Sequence, residues 1–449
     1  MKRPILAGLS TLFVVLACSL GNNTVETPTP DIDLMSSAVS ETLTAMPASD
    51  DEGPAPATPT VAASQATSTE AGVGETPESQ GFLPAGIMAW TAGGEITIYD
   101  PQGQSIVDYA LPDLAFPYPT FIHYAGPFGP GVTDGPLVYY SLAGDDVLKV
   151  QDGGNSSVYA PAPGLIALVG APAQPVVAYS LFVLPQSGDD TSSELYVGTL
   201  DAPPVDPILT ITNEEGYALY PLGVDAIDGE PVGVWYTTQL WGIGNVAFAP
   251  QRGLYYIDLT TNQSSNYLPA LESNDMGTFS YSPSGLSLDR SWVAYTMDGP
   301  NVAPYSMFWR PVEDADQVKS VMPGFNYDMG AGFGFFSPDH QYLAWVTANS
   351  GTQPGMVTYY LQINATDGVS GSFSIFPTAG SLLNPDLVSA WPVGWLNSET
   401  LLLQGRFADE SIHVMNFGPV GNVVSTNGSG AALEAQPFVP GEFLGFVYP

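Results

Sequence analysis

Phe336-Ser337-Pro338-Asp339-His340-Gln341-Tyr342-Leu343-Ala344-Trp345 holds the fold in ten residues. Ser-Pro-Asp is turn chemistry: proline presets φ, and the aspartate side chain bonds its own backbone two residues on. The apolar, aromatic run after it is what a strand buried on both faces needs. That run returns as Met88-Ala89-Trp90-Thr91, Val138-Tyr139-Tyr140-Ser141, Val177-Ala178-Tyr179-Ser180, Val234-Trp235-Tyr236-Thr237 and Val293-Ala294-Tyr295-Thr296. Leu401-Leu402-Leu403 is a degenerate copy, and Leu444-Gly445-Phe446-Val447-Tyr448 reads as an eighth, partial one. The third positions of the seven fuller copies fall at 90, 140, 179, 236, 295, 345 and 403. A second strand-like run usually follows and ends in an aspartate or a turn, as in Glu95-Ile96-Thr97-Ile98-Tyr99-Asp100 and Gly253-Leu254-Tyr255-Tyr256-Ile257-Asp258-Leu259.

Strand pairs that return at this interval, with no helical pattern between them, are the signature of propeller blades. One blade cannot keep both of its faces dry, so several must stack around an axis. The expected class is all-β, a β-propeller over residues 85–449. Its length and repeat spacing near 50 favour seven four-stranded blades and leave six or eight open. The C-terminal strand is expected to pair with the first blade, closing the ring and removing a sheet edge.

The stretch Phe336 to Trp345 looks like the WD-repeat-like motif of TolB-type periplasmic propellers and of dipeptidyl-peptidase propeller domains. Tyr281-Ser282-Pro283-Ser284-Gly285 followed by Trp292-Val293-Ala294-Tyr295-Thr296 resembles it with a short insertion, and Phe248-Ala249-Pro250 is a fainter echo. The resemblance implies that the Ser-Pro-Asp turn joins the inner strand of a blade to the next strand. It implies no catalytic residue, because the motif is structural. Ser287-Leu288-Asp289-Arg290-Ser291-Trp292 faintly resembles the sialidase Asp box; its tryptophan arrives early and the glycine is missing, so it is set aside.

At the start of the chain, Lys2 and Arg3 precede an apolar run from Ile5 to Ala17. This is a charged segment and hydrophobic core of signal-peptide length, too short to span a bilayer. Val15-Leu16-Ala17-Cys18 resembles the bacterial lipobox. The resemblance implies acylation of Cys18, cleavage before it, and a mature chain held outside the cytoplasm on a membrane by its lipid. Cys18 is the only cysteine of the chain, so no internal disulfide is open to it. No later stretch is apolar for long enough to be a membrane-spanning helix. Residues 19–84 are rich in Pro, Ser, Thr, Ala and Glu and hold no Lys or Arg. Such a segment cannot bury enough apolar surface to offset ordering entropy, so residues 18–84 are expected to be a lipidated cysteine followed by a disordered, semi-rigid spacer. Ile32, Met35, Val39, Leu43 and Met46 recur at helical spacing, so a short helix is expected over 31–46.

Composition narrows the partners. Eight Lys+Arg stand against 45 Asp+Glu, a formal charge of −37, and charged residues are 12% of the 449, about half the usual share. The acidity comes from missing bases, which excludes a nucleic-acid binder. The same acidity favours cationic or neutral partners. A monomer that binds a protein or glycan is the expectation.

The search for chemistry finds no Gly-x-Ser-x-Gly elbow, no Gly-Lys phosphate loop and no His-Glu-x-x-His. His123, His340 and His413 lie far apart and read as surface or packing residues. The acids Asp145-Asp146, Asp189-Asp190, Glu214-Glu215 and Glu313-Asp314-Ala315-Asp316 sit in loop-like contexts; as pairs they could serve a glycan hydrolase or lyase, as singles they are solvated loop acids. Asp225-Ala226-Ile227-Asp228-Gly229-Glu230 could offer oxygens to Ca²⁺ but does not match an EF-hand loop. No other cofactor is implied. Aromatic loops are the better clue to binding: Trp235, Tyr236 and Trp241 are the candidate ligand residues, with Phe116 to Tyr124 a second such loop. Three or more acids with an aromatic wall in one axial pocket would favour the enzyme; an axis of small and apolar side chains would remove it.

Overall fold

The computed structural model describes residues 83–448, apart from 92–94, 111–123, 127–134, 142–145, 184–190, 214–215, 241–247, 249–250, 269–280, 298–305, 323–329, 351–356, 370–371, 376–385 and 427–434. The expectations on the signal segment, Cys18, the spacer and its helix at 31–46 therefore lie outside the described residues, as do those on His123 and Trp241.

Seven four-stranded antiparallel sheets form the blades of a propeller. Blade 1 holds β1 (Gly86–Trp90), β2 (Glu95–Tyr99) and β3 (Ser105–Ala110); blade 2 holds β4 (Tyr124–Ala125), β5 (Leu137–Ser141), β6 (Val147–Asp152) and β7 (Asn155–Pro161). Blade 3 runs through β8 (Leu165–Gly170), β9 (Val176–Val183), β10 (Thr191–Thr199) and β11 (Leu209–Asn213), and blade 4 through β12 (Tyr217–Ile227), β13 (Glu230–Leu240), β14 (Gln251–Asp258) and β15 (Gln263–Leu268). Blade 5 consists of β16 (Ser282–Leu286), β17 (Trp292–Thr296), β18 (Met307–Pro311) and β19 (Lys319–Val321). Blade 6 consists of β20 (Gly330–Phe336), β21 (Tyr342–Ser350), β22 (Val357–Ala365) and β23 (Ser372–Ile375). Blade 7 has β24 (Leu387–Asn397), β25 (Thr400–Phe407), β26 (Ile412–Phe417) and β27 (Gln436–Pro440), with the helix α1 (Val420–Thr426) between its last two strands. The last strand, β28 (Glu442–Val447), pairs with β1 and completes blade 1.

All seven copies of the apolar repeat are second strands of their blades: β1, β5, β9, β13, β17, β21 and β25. Alternation explains why they are apolar throughout. Successive side chains of a strand point to opposite faces, and in a propeller each face meets a neighbouring blade. Met88 packs with Leu137 and Tyr139 of blade 2, while its neighbours Ile87 and Ala89 pack with Leu396 and Leu402 of blade 7. One buried cluster of this kind lies at each of the seven junctions, the last between blade 7 and blade 1. The partial copy at Leu444 to Tyr448 is not a second strand. Most of it is β28, the innermost strand of blade 1, so ring closure joins one C-terminal strand to three N-terminal ones.

The Ser282-Pro283-Ser284-Gly285 reading needs correction. These residues are in strand β16, not in a turn. Pro283 and Gly285 flank a bulge, with Ser284 as the extra residue. The same device stands in β12 at Pro221-Leu222-Gly223 and in β24 at Pro392-Val393-Gly394, each opposite the third position of the neighbouring repeat. Proline belongs there because a bulge breaks the hydrogen-bond ladder it cannot serve, and glycine because another backbone comes close. A Cβ on Gly285 would stand 1.9 Å from the Gly334 carbonyl oxygen of the next inner strand.

The turn of blade 5 is the stretch set aside as an Asp box. Ser287 donates its hydroxyl to Asp289 and accepts the Trp292 amide, and Asp289 accepts the Ser291 amide. In blade 6 Ser337, Asp339, Tyr342 and Gln341 make the same bonds. Arg290 and His340 take the equivalent left-handed position, at φ 65 and 58.

Among the phenols of the blades, burial pushes Tyr140, Tyr179 and Tyr256 up to about 12, with Asp146 adding to the first and Asp225 to the last. A folded-state value above the unfolded value of about 10 contributes stability that is whole below pH 10 and is lost as pH rises through the folded value. The urea midpoint is therefore expected to be flat up to about pH 9.5 and to fall toward pH 12. A midpoint unchanged through that range would contradict the burial of these rings.

Candidate functional site

The inner strands converge on two adjoining cavities of about 370 and 270 Å³, which share Leu288, Arg290, Phe446 and Tyr448. Every blade contributes to their walls: Phe446 from blade 1, Ala125 from blade 2, Val169 from blade 3, Leu222 from blade 4, Leu288 from blade 5, Phe335 from blade 6 and Trp395 from blade 7. This places the recess on the propeller axis, at the end where first strands turn into second ones. The bulges help to shape it, because the extra residues Leu222 and Val393 both line it.

The walls are mostly apolar and aromatic, and the polar groups are few. Among the described residues that line the recess, Arg290 is the fixed cation, its side chain 14% exposed. Its Nε lies 3.6 Å from Asp225 Oδ1 and makes no hydrogen bond; its Nη1 donates to the Ser287 carbonyl oxygen at 3.4 Å. The other Asp225 oxygen accepts the Trp235 indole N–H at 2.9 Å. A Cβ on Gly223 would stand 2.1 Å from Arg290 Nη2, so the blade 4 backbone forms a cradle that only glycine leaves open. Burial disfavours the charge of Arg290 and Asp225 opposes that effect. Burial pushes the Tyr448 phenol up, with Arg290 acting against it.

The second polar group is a pair across the junction of blades 5 and 6. His340 Nε2 lies 3.1 Å from Asp289 Oδ1. Burial pushes Asp289 up, but hydrogen bonds from His340, Ser287 and Ser291 outweigh it and hold the carboxyl well below its usual range. Asp289 is thus kept ionised, which suits a turn-holding acceptor and not a proton donor.

These positions revise several expectations. Trp235 and Tyr236 are not on an exposed loop. They are second-strand residues of blade 4, 6% and 7% exposed, Trp235 against Tyr256 and Tyr267 and Tyr236 against Tyr255. Their apolar area is taken by the blade junctions, though Trp235 touches the site indirectly through Asp225. His340 lines the recess and is not merely a packing residue, whereas His413 packs edge-on against Phe407. Asp146, Glu313, Asp314 and Asp316 do not line the recess, and Asp145, Asp189, Asp190, Glu214 and Glu215 lie outside the described residues. Asp225 is engaged with Arg290 and Trp235, and among the described residues no three His, Cys, Asp or Glu gather as a metal site. Arg290 itself was missed. Its signal was the Ser-x-Asp spacing it shares with His340, combined with its rarity among eight basic residues.

Asp225→Ala is expected to remove the main counter-ion of Arg290, leaving the weaker influence of Asp289, and to leave the Trp235 N–H without an acceptor. With Asp225 one-third exposed, the cost is about 2 kcal/mol rather than the 3–5 of a fully buried pair. Asp225→Asn keeps an acceptor for the indole and should cost about half as much. Equal urea midpoints for wild type and Asp225→Ala would show that this contact does not hold the guanidinium.

No family model matches the chain, and no curated protein matches it in sequence. Among solved structures it is similar to Pyrococcus horikoshii acylaminoacyl peptidase, at 9% identity and TM-score 0.42 over 72% of this chain and 46% of that one. It is similar to a Niastella koreensis GH74 enzyme at 10% identity and TM-score 0.42, over 79% of this chain and 54% of the other. A third is the β-propeller domain of the Trilobed protease from Pyrococcus furiosus, at 10% identity and TM-score 0.40 over 72% of this chain and 86% of that domain. The chain spans about half the length of the first two.

Proposed function

We propose that this chain is a lipid-tethered, monomeric propeller outside the cytoplasm that binds a protein or glycan partner at its axial recess without transforming it. The observation that carries this reading is the make-up of the recess. Seven blades line the two adjoining cavities, the larger of them aromatic-walled, and among the described residues the lining carboxylate, Asp289, is spent on holding a turn. Concave, largely apolar surfaces with a few placed polar groups are the common form of ligand sites. The tether rests on Cys18 at the end of its apolar run and on the Pro-rich spacer behind it. Two or more acyl chains, at about 0.8 kcal/mol per buried methylene, anchor a protein stably.

The alternative, a hydrolase or lyase acting on extracellular glycans, needs a carboxylic acid still protonated near neutral pH. Burial pushes Glu442 up, but it stands at the start of β28 and does not line the recess. Two experiments test the proposal. Palmitate should label the full chain and not Cys18→Ala; equal labelling removes the tether. A glycan and secreted-peptide array should give a ligand whose binding is lost in Phe335→Ala, a partly buried wall residue of the recess. Turnover of an array glycan, abolished by Glu442→Gln, would establish the enzyme instead.

A further inference from the structure

The reading above leaves the chemistry of the ligand open, and Arg290 supplies it. A guanidinium offers five N–H donors in a fixed planar fork. Of those on Arg290, Nη1 makes one long bond to a carbonyl, Nε makes none, and Asp225 stands beside Nε beyond hydrogen-bond distance. Arg310, the comparison within the chain, is also buried but spends its fork on the carbonyls of Pro311, Val312 and Tyr267. Arg310 ties strands together, whereas Arg290 is held in a glycine cradle facing a cavity with donors to spare. Nε is buried beside Asp225, so the donors open to an anion are those of the Nη atoms, where a charge-assisted pair would complete the fork.

The surroundings fix the kind of anion. Phe335, Phe336, Trp395, Phe446 and Tyr448 form the walls, so the rest of the ligand must be apolar. Asp289 and Asp225 stand near the cation and the chain carries −37, which works against a polyanion such as a nucleotide or a sulfated glycan. From this we infer that the axial recess is a carboxylate site: Arg290 grips one carboxylate and the aromatic walls take the apolar or aromatic body attached to it. The carboxylate can belong to a free acid or to the C-terminal residue of a peptide. This inference rests on the recess being the binding surface, as proposed above.

Calorimetry on the full chain near neutral pH tests it with matched pairs: 3-phenylpropionate against 3-phenylpropionamide, and a tripeptide ending in free phenylalanine against its C-terminal amide. In each pair the acid should bind at least about tenfold more tightly than the amide, the difference that one charge-assisted bond confers. Similar affinity for the two acids identifies the carboxylate and its ring as the whole determinant; a clear advantage for the tripeptide identifies a peptide C-terminus. Arg290→Gln should erase the preference for acid over amide. Gly223→Ala, which fills the cradle, should reduce the preference in the same way. Should either variant fail to fold, the wild-type pairs alone decide. Equal binding of acid and amide, or no binding of either acid, overturns the inference. A different result marks failure of the reading beneath it: an array partner bound equally well by wild type and Phe335→Ala would lie outside the recess altogether.

Discussion

A chain shortened to end at Gly441 is expected to lose its cooperative unfolding transition and to self-associate. The residues removed include β28, the innermost strand of blade 1, which runs antiparallel to β1 from Gly86 opposite Val447 to Trp90 opposite Glu442. Its side chains serve both neighbouring junctions. Val447 is 2% exposed and packs with Met88 and Tyr139, with Leu444 beside it, while Phe443 and Phe446 pack against Leu396 and Val439 of blade 7. A fully buried side chain of this size is worth about 1.5–3 kcal/mol. One full and three partial burials therefore sum to about 5 kcal/mol, as much as the whole net stability of many domains. The truncation also leaves β1 as an unpaired apolar edge, a template for pairing with another chain. Urea denaturation and sedimentation would measure both effects, and a synthetic peptide spanning 442–449 should reverse the self-association by strand addition. An unchanged midpoint in the truncated chain would mean that the ring does not depend on this closure.

The second strands and closure were legible in the sequence for a physical reason, and the inner strands were hidden for another. A second strand is covered by a blade on each side, so both of its faces are apolar and the run announces itself at Tyr139, Tyr179, Tyr236, Tyr295 and Trp345. An inner strand lines the axis, bulges at Pro-x-Gly in three blades, and approaches its neighbours through glycine. Proline and glycine are also turn residues, so Ser282 to Gly285 read as a turn and displaced the real one by five residues, from Ser287 to Ser282. Arg290 was lost with it. Aromatic character alone could not separate Trp235, spent wholly on a junction, from Trp395, 4% exposed in the junction of blades 6 and 7 yet also lining the recess. Strand position decides between them, and strand position depends on where the turn falls.

The junctions themselves give the sharpest test of what holds the ring together. Trp345→Ala is expected to cost about 4 kcal/mol, within the range for deleting a buried tryptophan. Trp345 is fully buried at the junction of blades 5 and 6 with Leu343, Met307 and Trp309. Its indole N–H donates to the Asn364 side-chain oxygen at 2.7 Å, and Asn364 is itself only 5% exposed. Alanine therefore opens a cavity that neighbouring strands cannot fill without breaking their ladders, and it also orphans a buried acceptor. Trp345→Phe separates the two effects, since it keeps most of the apolar volume and loses the bond; it should cost about 1–2 kcal/mol. The conservative change is informative because the second strands of most other blades carry a tyrosine or tryptophan at this position. If packing dominates, the alanine variant falls well below the phenylalanine variant in urea midpoint. If both fall equally, the buried hydrogen bond is the larger contribution, and a second strand would be specified by its polar anchor as much as by its apolar faces.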